Sequence, residues 1–132
     1  MSQQTELDDI VRYWFEKADE SLDADRDEMK AGRLSFSVNR IYYACFYSAS
    51  AVLLMMRLRF RKHSGVRASF HQHLVKHGLV TLEHGKLYDE LFEARQRGDY
   101  IELVTFELRQ VAEWLNQAGD FVETMRQLTR TR

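Results

Sequence analysis

Apolar residues recur along this chain at intervals of three, four and seven, and that spacing predicts helices rather than strands. Leu7, Ile10, Val11, Trp14, Phe15, Ala18 and Leu22 mark the buried face of a helix over about residues 6–31, with Thr5 as candidate N-cap and Gly32 as candidate stop. A second helix is expected over about residues 35–60. Between residues 41 and 56 it is apolar on almost every side, which requires a central position, a self-association surface, or both. A shorter helix over about 66–77 should end at Gly78, and a fourth over about 82–96 at Gly98. The last runs from a Thr105 cap through Leu108, Val111, Ala112, Leu115, Ala118, Phe121, Val122, Met125 and Leu128. These segments predict an all-α, up-and-down bundle of about five helices.

Composition agrees with that pattern. The chain has 132 residues, no proline and only six glycines, so it lacks the turn chemistry a many-stranded barrel or sandwich needs at each reversal. Its 45% hydrophobic and 12% aromatic content can fill a sizeable core, and no repeat, low-complexity tract or linker divides it, so one domain over 1–132 is expected. The 41–56 stretch carries Tyr42, Tyr43, Tyr47, Ser48 and Ser50 and falls short of the ~20 apolar residues that span a bilayer. It reads as a buried helix of a protein with no membrane partner. The N-terminus has no basic region followed by an apolar stretch, and the lone Cys45 excludes an internal disulfide and a thiolate zinc cage. Cytoplasmic residence follows as the expectation.

Net charge is only −1 but unevenly spread. Residues 1–31 hold ten acids against four bases, whereas residues 57–77 hold Arg57, Arg59, Arg61, Lys62, Arg67 and Lys76 and no acid. His63, His71, His73 and His77 lie in the same basic stretch. It suits a phosphate or an acidic partner, or else a solvated face balanced by the acidic first helix. His73 and His77, four apart, share a helix face that Glu83 could complete as a metal site, but no metal-binding motif supports them, and neither a metal nor another cofactor is expected.

Chemistry concentrates in Arg95-Gln96-Arg97-Gly98-Asp99-Tyr100, where a guanidinium, a carboxylate and a phenol meet at a predicted helix end. Arg95 there is either a cation for phosphate or a cap on helix carbonyls with Asp99 as its ion-pair partner. Asn39 and Arg40 are either polar groups brought beside Arg95 or structural ties within the bundle. Tyr42 and Tyr43 read as packing residues. Glycine-rich phosphate loops, nucleophile elbows and nucleotidyltransferase motifs are absent from the sequence, which disfavours ATPase, hydrolase and transferase activities.

Taken together, Asn39-Arg40-Ile41-Tyr42-Tyr43-Ala44, Lys62-His63-Ser64-Gly65-Val66 with Phe70, and Arg95 with Asp99-Tyr100 resemble the HEPN superfamily (higher eukaryotes and prokaryotes nucleotide-binding), in its small stand-alone prokaryotic branch. The resemblance spans nearly the whole chain and implies a helical bundle that dimerises. It also implies a minimal nucleotidyltransferase as partner and antitoxin in a toxin-antitoxin module, with RNA or nucleotide as ligand. In active relatives an arginine followed after four to six residues by histidine forms a metal-independent ribonuclease site where two subunits meet. Here Tyr100, Ile101 and Glu102 occupy the histidine positions, so the proton-transfer partner of Arg95 is missing unless folding supplies His63. On that reading Arg95, His63 and Asp99 are the candidate catalytic residues, and Asn39, Arg40 and Tyr100 the candidate binding residues. Paired nucleotidyltransferases in some relatives attach AMP to a tyrosine near this motif, which makes Tyr100 a candidate for modification. The functions left open are a nucleotide- or RNA-binding toxin-like component, a ribonuclease with a degenerate motif, and a non-catalytic helical interaction protein.

Overall fold

The computed structural model describes residues 3–100 and 105–130, except for the side chains of residues 99 and 100. Its described residues form α1 (Gln3–Lys30), α2 (Leu34–Met55), α3 (His63–Phe70), α4 (Leu82–Tyr100) and α5 (Leu108–Arg130), an all-α bundle as the periodicity predicted. No described helix is long and apolar enough to cross a membrane. Helix α2 touches the other four helices, which explains why it is apolar almost all round. Ile41, Tyr42, Ala44, Cys45, Ser48 and Ala49 have no exposed surface at all.

The outer helices cover α2 with single stripes. On α1 the stripe is Val11, Phe15, Ala18 and Leu22, and on α5 it is Val111, Trp114, Ala118, Phe121, Val122 and Met125. Each buried side chain of Val to Phe size removed from water contributes about 1.5–3 kcal/mol, so packing on α2 rather than helix propensity holds these elements. One charged residue joins the α1 stripe: Asp25 is fully buried and accepts a hydrogen bond from the Ser37 hydroxyl of α2.

Helix ends account for most departures from the predicted boundaries. Gly32 (φ 78°) and Gly78 (φ 72°) stop their helices as expected, each with the following residue donating back across six residues, Arg33 N–H to Glu28 O at 2.9 Å and Leu79 N–H to Leu74 O at 2.9 Å. Helix α2 stops at Met55 rather than near residue 60, because Arg57 takes the same left-handed conformation (φ 62°) and Leu58 N–H reaches Leu53 O at 2.9 Å. A non-glycine residue there leaves no stop signal in the sequence. Gly98, expected to end α4, lies inside it, with the Phe106 ring packed where its side chain would project. Thr5 is likewise inside α1, which begins at Gln3, and Thr105 lies three residues before the first residue of α5.

Two local devices fix α3 and α4. Helix α3 begins three residues before its predicted start and runs on into a π-helical turn, His71–Val75, packed on the buried Gly85 of α4, where an added Cβ would sit 3.1 Å from the His71 ring and 3.2 Å from Val75. At the start of α4 the His84 N–H donates to Thr81 Oγ1 (3.1 Å) while the Thr81 N–H donates to His84 Nδ1 (3.2 Å). This is a capping box with histidine in the reciprocal position, and its Nε2–H then donates to Asp120 of α5 at 3.1 Å.

Candidate functional site

Helix periodicity sets out the site. Tyr42, Tyr43, Phe46 and Tyr47 occupy adjoining faces of α2, and the α3–α4 packing lays His63 and Arg95 against them. The Arg95 guanidinium carbon lies 5.1 Å from the centre of the Tyr42 ring and 5.3 Å from that of Tyr43, and Nη2 donates to the Tyr43 hydroxyl at 3.4 Å. His63 stacks on Phe46 with centroids 4.2 Å apart and planes at 12°, and its Nδ1 is 2.8 Å from the Tyr42 hydroxyl. Folding therefore brings His63 and Arg95, 32 positions apart in sequence, onto one aromatic platform.

Electrostatics follow from that placement. Burial lowers the His63 pKa below the ordinary 6.5, and the positive charge of Arg95 lowers it further, so the imidazole is mainly neutral at pH 7. Burial pushes the Tyr42 phenol up to about 12, so it stays protonated. Either imidazole tautomer satisfies the Tyr42 contact. With the proton on Nδ1, donated to the Tyr42 oxygen, Nε2 keeps the free lone pair that a proton acceptor needs.

A second cluster seats α3 on α4. Arg67, one turn beyond His63, donates to Asp89 at 2.8 Å and to Glu93 at 3.3 Å, and its guanidinium carbon lies 4.5 Å from the centre of the Phe92 ring. His71, one turn further, has Nε2 at 2.8 Å from the same Asp89 carboxylate. One of the six cations in the 57–77 stretch is thus already paired, whereas Arg57, Arg59, Arg61 and Lys62 are exposed.

The other candidates fall as follows. Asn39 is half-buried on α2 and precedes Tyr42 and Tyr43 by three and four residues, so it shares their face. Arg40 turns toward α1 and walls a recess with Lys17, Glu20, Ser21, Ala24 and Tyr47. The Asp99 and Tyr100 side chains, and residues 101–104 with Ile101 and Glu102, lie outside the described residues. His73 is half-exposed in the π-helical turn and His77 exposed beyond it, and among the described residues no group of three His, Cys, Asp or Glu side chains is placed to hold a metal ion. The sequence favours packing for Tyr42 and Tyr43. Tyr42 is indeed in the core, yet its hydroxyl holds His63, and the Tyr43 hydroxyl holds Arg95. Their adjacency one turn after Asn39-Arg40 was the available signal.

Fold and site together define an all-α bundle in which an arginine and a histidine lie against a platform of aromatic rings. A HEPN domain model matches residues 11–128. The chain is 46% identical over 123 residues to a UPF0332 protein of Thermotoga maritima, covering 93% of each. It is 33% identical over 105 residues, 80% of this chain and 71% of the relative, to the Methanocaldococcus jannaschii protein named "Putative toxin MJ0142". A second protein of that organism, "Putative toxin MJ0605", is 31% identical over 90 residues, 68% and 67% of the two chains. The chain belongs to the HEPN family.

Proposed function

We propose that this protein is a toxin-like HEPN component that binds RNA or nucleotide phosphate at Arg95, acts as a cytoplasmic homodimer, and works with a minimal nucleotidyltransferase as its restraining partner. One observation carries the reading: a guanidinium held on the Tyr42 and Tyr43 rings, with the His63 imidazole on the same aromatic platform. Arginine offers a planar fork of donors matched to phosphate oxygens, and the rings on which it lies keep the fork oriented. The exposed Arg57, Arg59, Arg61 and Lys62 lead in sequence directly to His63 and extend positive charge for a nucleic-acid backbone. The toxin names of two relatives support the same class.

The neutral state of His63 favours a second reading, metal-independent RNA cleavage. A ribose 2′-hydroxyl would attack the adjacent phosphorus while His63 Nε2 takes its proton and Arg95 faces the non-bridging oxygens. The 5′-oxygen would leave, taking up a proton from the imidazolium, to give a 2′,3′-cyclic phosphate and a 5′-hydroxyl end.

Incubation of the purified chain with cellular RNA separates the readings. Binding alone gives an intact RNA profile and an affinity lost in Arg95→Ala but kept in His63→Ala. Cleavage gives cyclic-phosphate fragments that disappear in both variants. RNA binding unchanged in Arg95→Ala rejects both. The pairing is tested by co-expression with any minimal nucleotidyltransferase encoded beside the gene, and failure to co-purify rejects it.

A further inference from the structure

The geometry points to a second binding site, away from Arg95, for a small anion with a ring-sized apolar body. A cavity of about 160 Å³ opens between α1, α2 and residues 58–61, with apolar walls that include Trp14, Leu53 and Phe60. Cavities of roughly this size hold a single aromatic ring or a short branched chain. Ser50 also lines it; this residue is 9% exposed, and its hydroxyl has no hydrogen-bond partner although it is out of contact with bulk water.

Arg59 and Arg61 complete the lining from the exposed side, and among the described residues neither makes a salt bridge. Apolar walls inside and two guanidinium groups toward solvent select a carboxylate or phosphate ester carried on a small apolar group. Two residues of the Lys62-His63-Ser64-Gly65-Val66 motif shape this cavity. Gly65 lets the Phe60 ring lie against the α3 backbone, 3.2–3.5 Å from where a Cβ would be, and Val66 is part of the lining.

The test is a titration of the ¹⁵N-labelled full chain with phenylacetate, phenyl phosphate and uncharged benzyl alcohol, read at the two tryptophan indole N–H signals. Trp14 lines the cavity, while Trp114, whose indole donates to Glu90 at 3.2 Å, is the internal reference. The Trp14 signal is expected to shift saturably, with at least one anion binding about tenfold more tightly than benzyl alcohol. Arg59→Ala combined with Arg61→Ala should erase that advantage without affecting folding, since both residues are exposed. Val66→Phe, which fills the cavity, should weaken every probe by about tenfold or more in a protein with unchanged helical content. Arg95→Ala should leave the titration unchanged, so this site stands or falls apart from the phosphate site.

Four results would overturn the assignment: no saturable shift with either anion up to about 20 mM, equal affinity for the alcohol, binding undiminished in Val66→Phe, or loss of binding in Arg95→Ala. A Trp14 shift produced by concentrating the protein alone would also overturn it, because the cavity would then belong to a contact between copies.

Discussion

Replacing the buried Asp25 by asparagine should make the protein more stable at neutral pH. Asp25 occupies the next turn of the α1 stripe after Leu22 and is 0% exposed. Its Oδ1 accepts from Ser37, while Oδ2 is buried without a partner. Burial raises the carboxyl from 3.8 to about 6, against the smaller opposing effect of the Ser37 hydrogen bond. A carboxyl raised in the folded state contributes stability that is complete below its unfolded pKa and lost as pH climbs through its folded pKa. At ~1.4 kcal/mol for each pH unit between 3.8 and 6, the ionised side chain costs the fold about 3 kcal/mol at pH 7.5. Asparagine keeps an acceptor for Ser37 and carries no charge. Asp25→Asn should therefore gain up to about 3 kcal/mol at pH 7.5, or about 10 °C in Tm for a chain of this size, with the gain shrinking toward zero near pH 4. Circular-dichroism melts of both proteins at pH 4, 5, 6 and 7.5 read this directly. A gap independent of pH, or a variant less stable than wild type at pH 7.5, would refute the reasoning.

Arg57 adopts φ 62° as the residue that closes α2, so Arg57→Gly should stabilise the fold by about 0.5–1 kcal/mol in urea titrations, the relief of left-handed strain exceeding the added freedom of the unfolded chain. The Cys45 thiol is fully buried and its pKa is pushed well above the ordinary range. A thiol-specific reagent should label it at least about 100-fold more slowly in the native protein than in denaturant, and rapid native labelling would contradict that placement. His63, followed by NMR, should titrate below 6.5 in the wild type and move upward in Arg95→Ala, because the guanidinium contributes to the lowering. An unmoved titration would separate the two groups.

The sequence made the helices legible wherever one stripe met one core. The stripes of α1 and α5 were apparent because buried residues recur every three or four positions, and the apolar belt of α2 announced its central place. Boundaries failed where backbone conformation overrode residue type. Arg57 closes a helix without glycine, and Gly98 lies inside one with the Phe106 ring packed on it. The π-helical turn packs closely on Gly85, a tertiary contact with no local mark in the sequence. In the site, the approach of His63 to Arg95 was foreseen only as something folding had to supply. The aromatic platform beneath both was missed, since a tyrosine in an apolar run looks the same whether its hydroxyl is idle or holds a functional group. For Arg40 the sequence left two places equally open, beside Arg95 or as a tie within the bundle, and one residue beyond Asn39 along a helix turns a side chain by about 100°. That rotation directs it to the α1 recess.

Equilibrium binding of a fluorescent single-stranded RNA to wild-type protein and Arg95→Ala at the same ionic strength tests the central claim most directly, with melting curves to verify that both are folded. The account predicts at least about tenfold weaker binding on loss of the guanidinium, with partial recovery in Arg95→Lys, which restores charge without the fork. Equal affinity of wild type and a fully folded Arg95→Ala would contradict it.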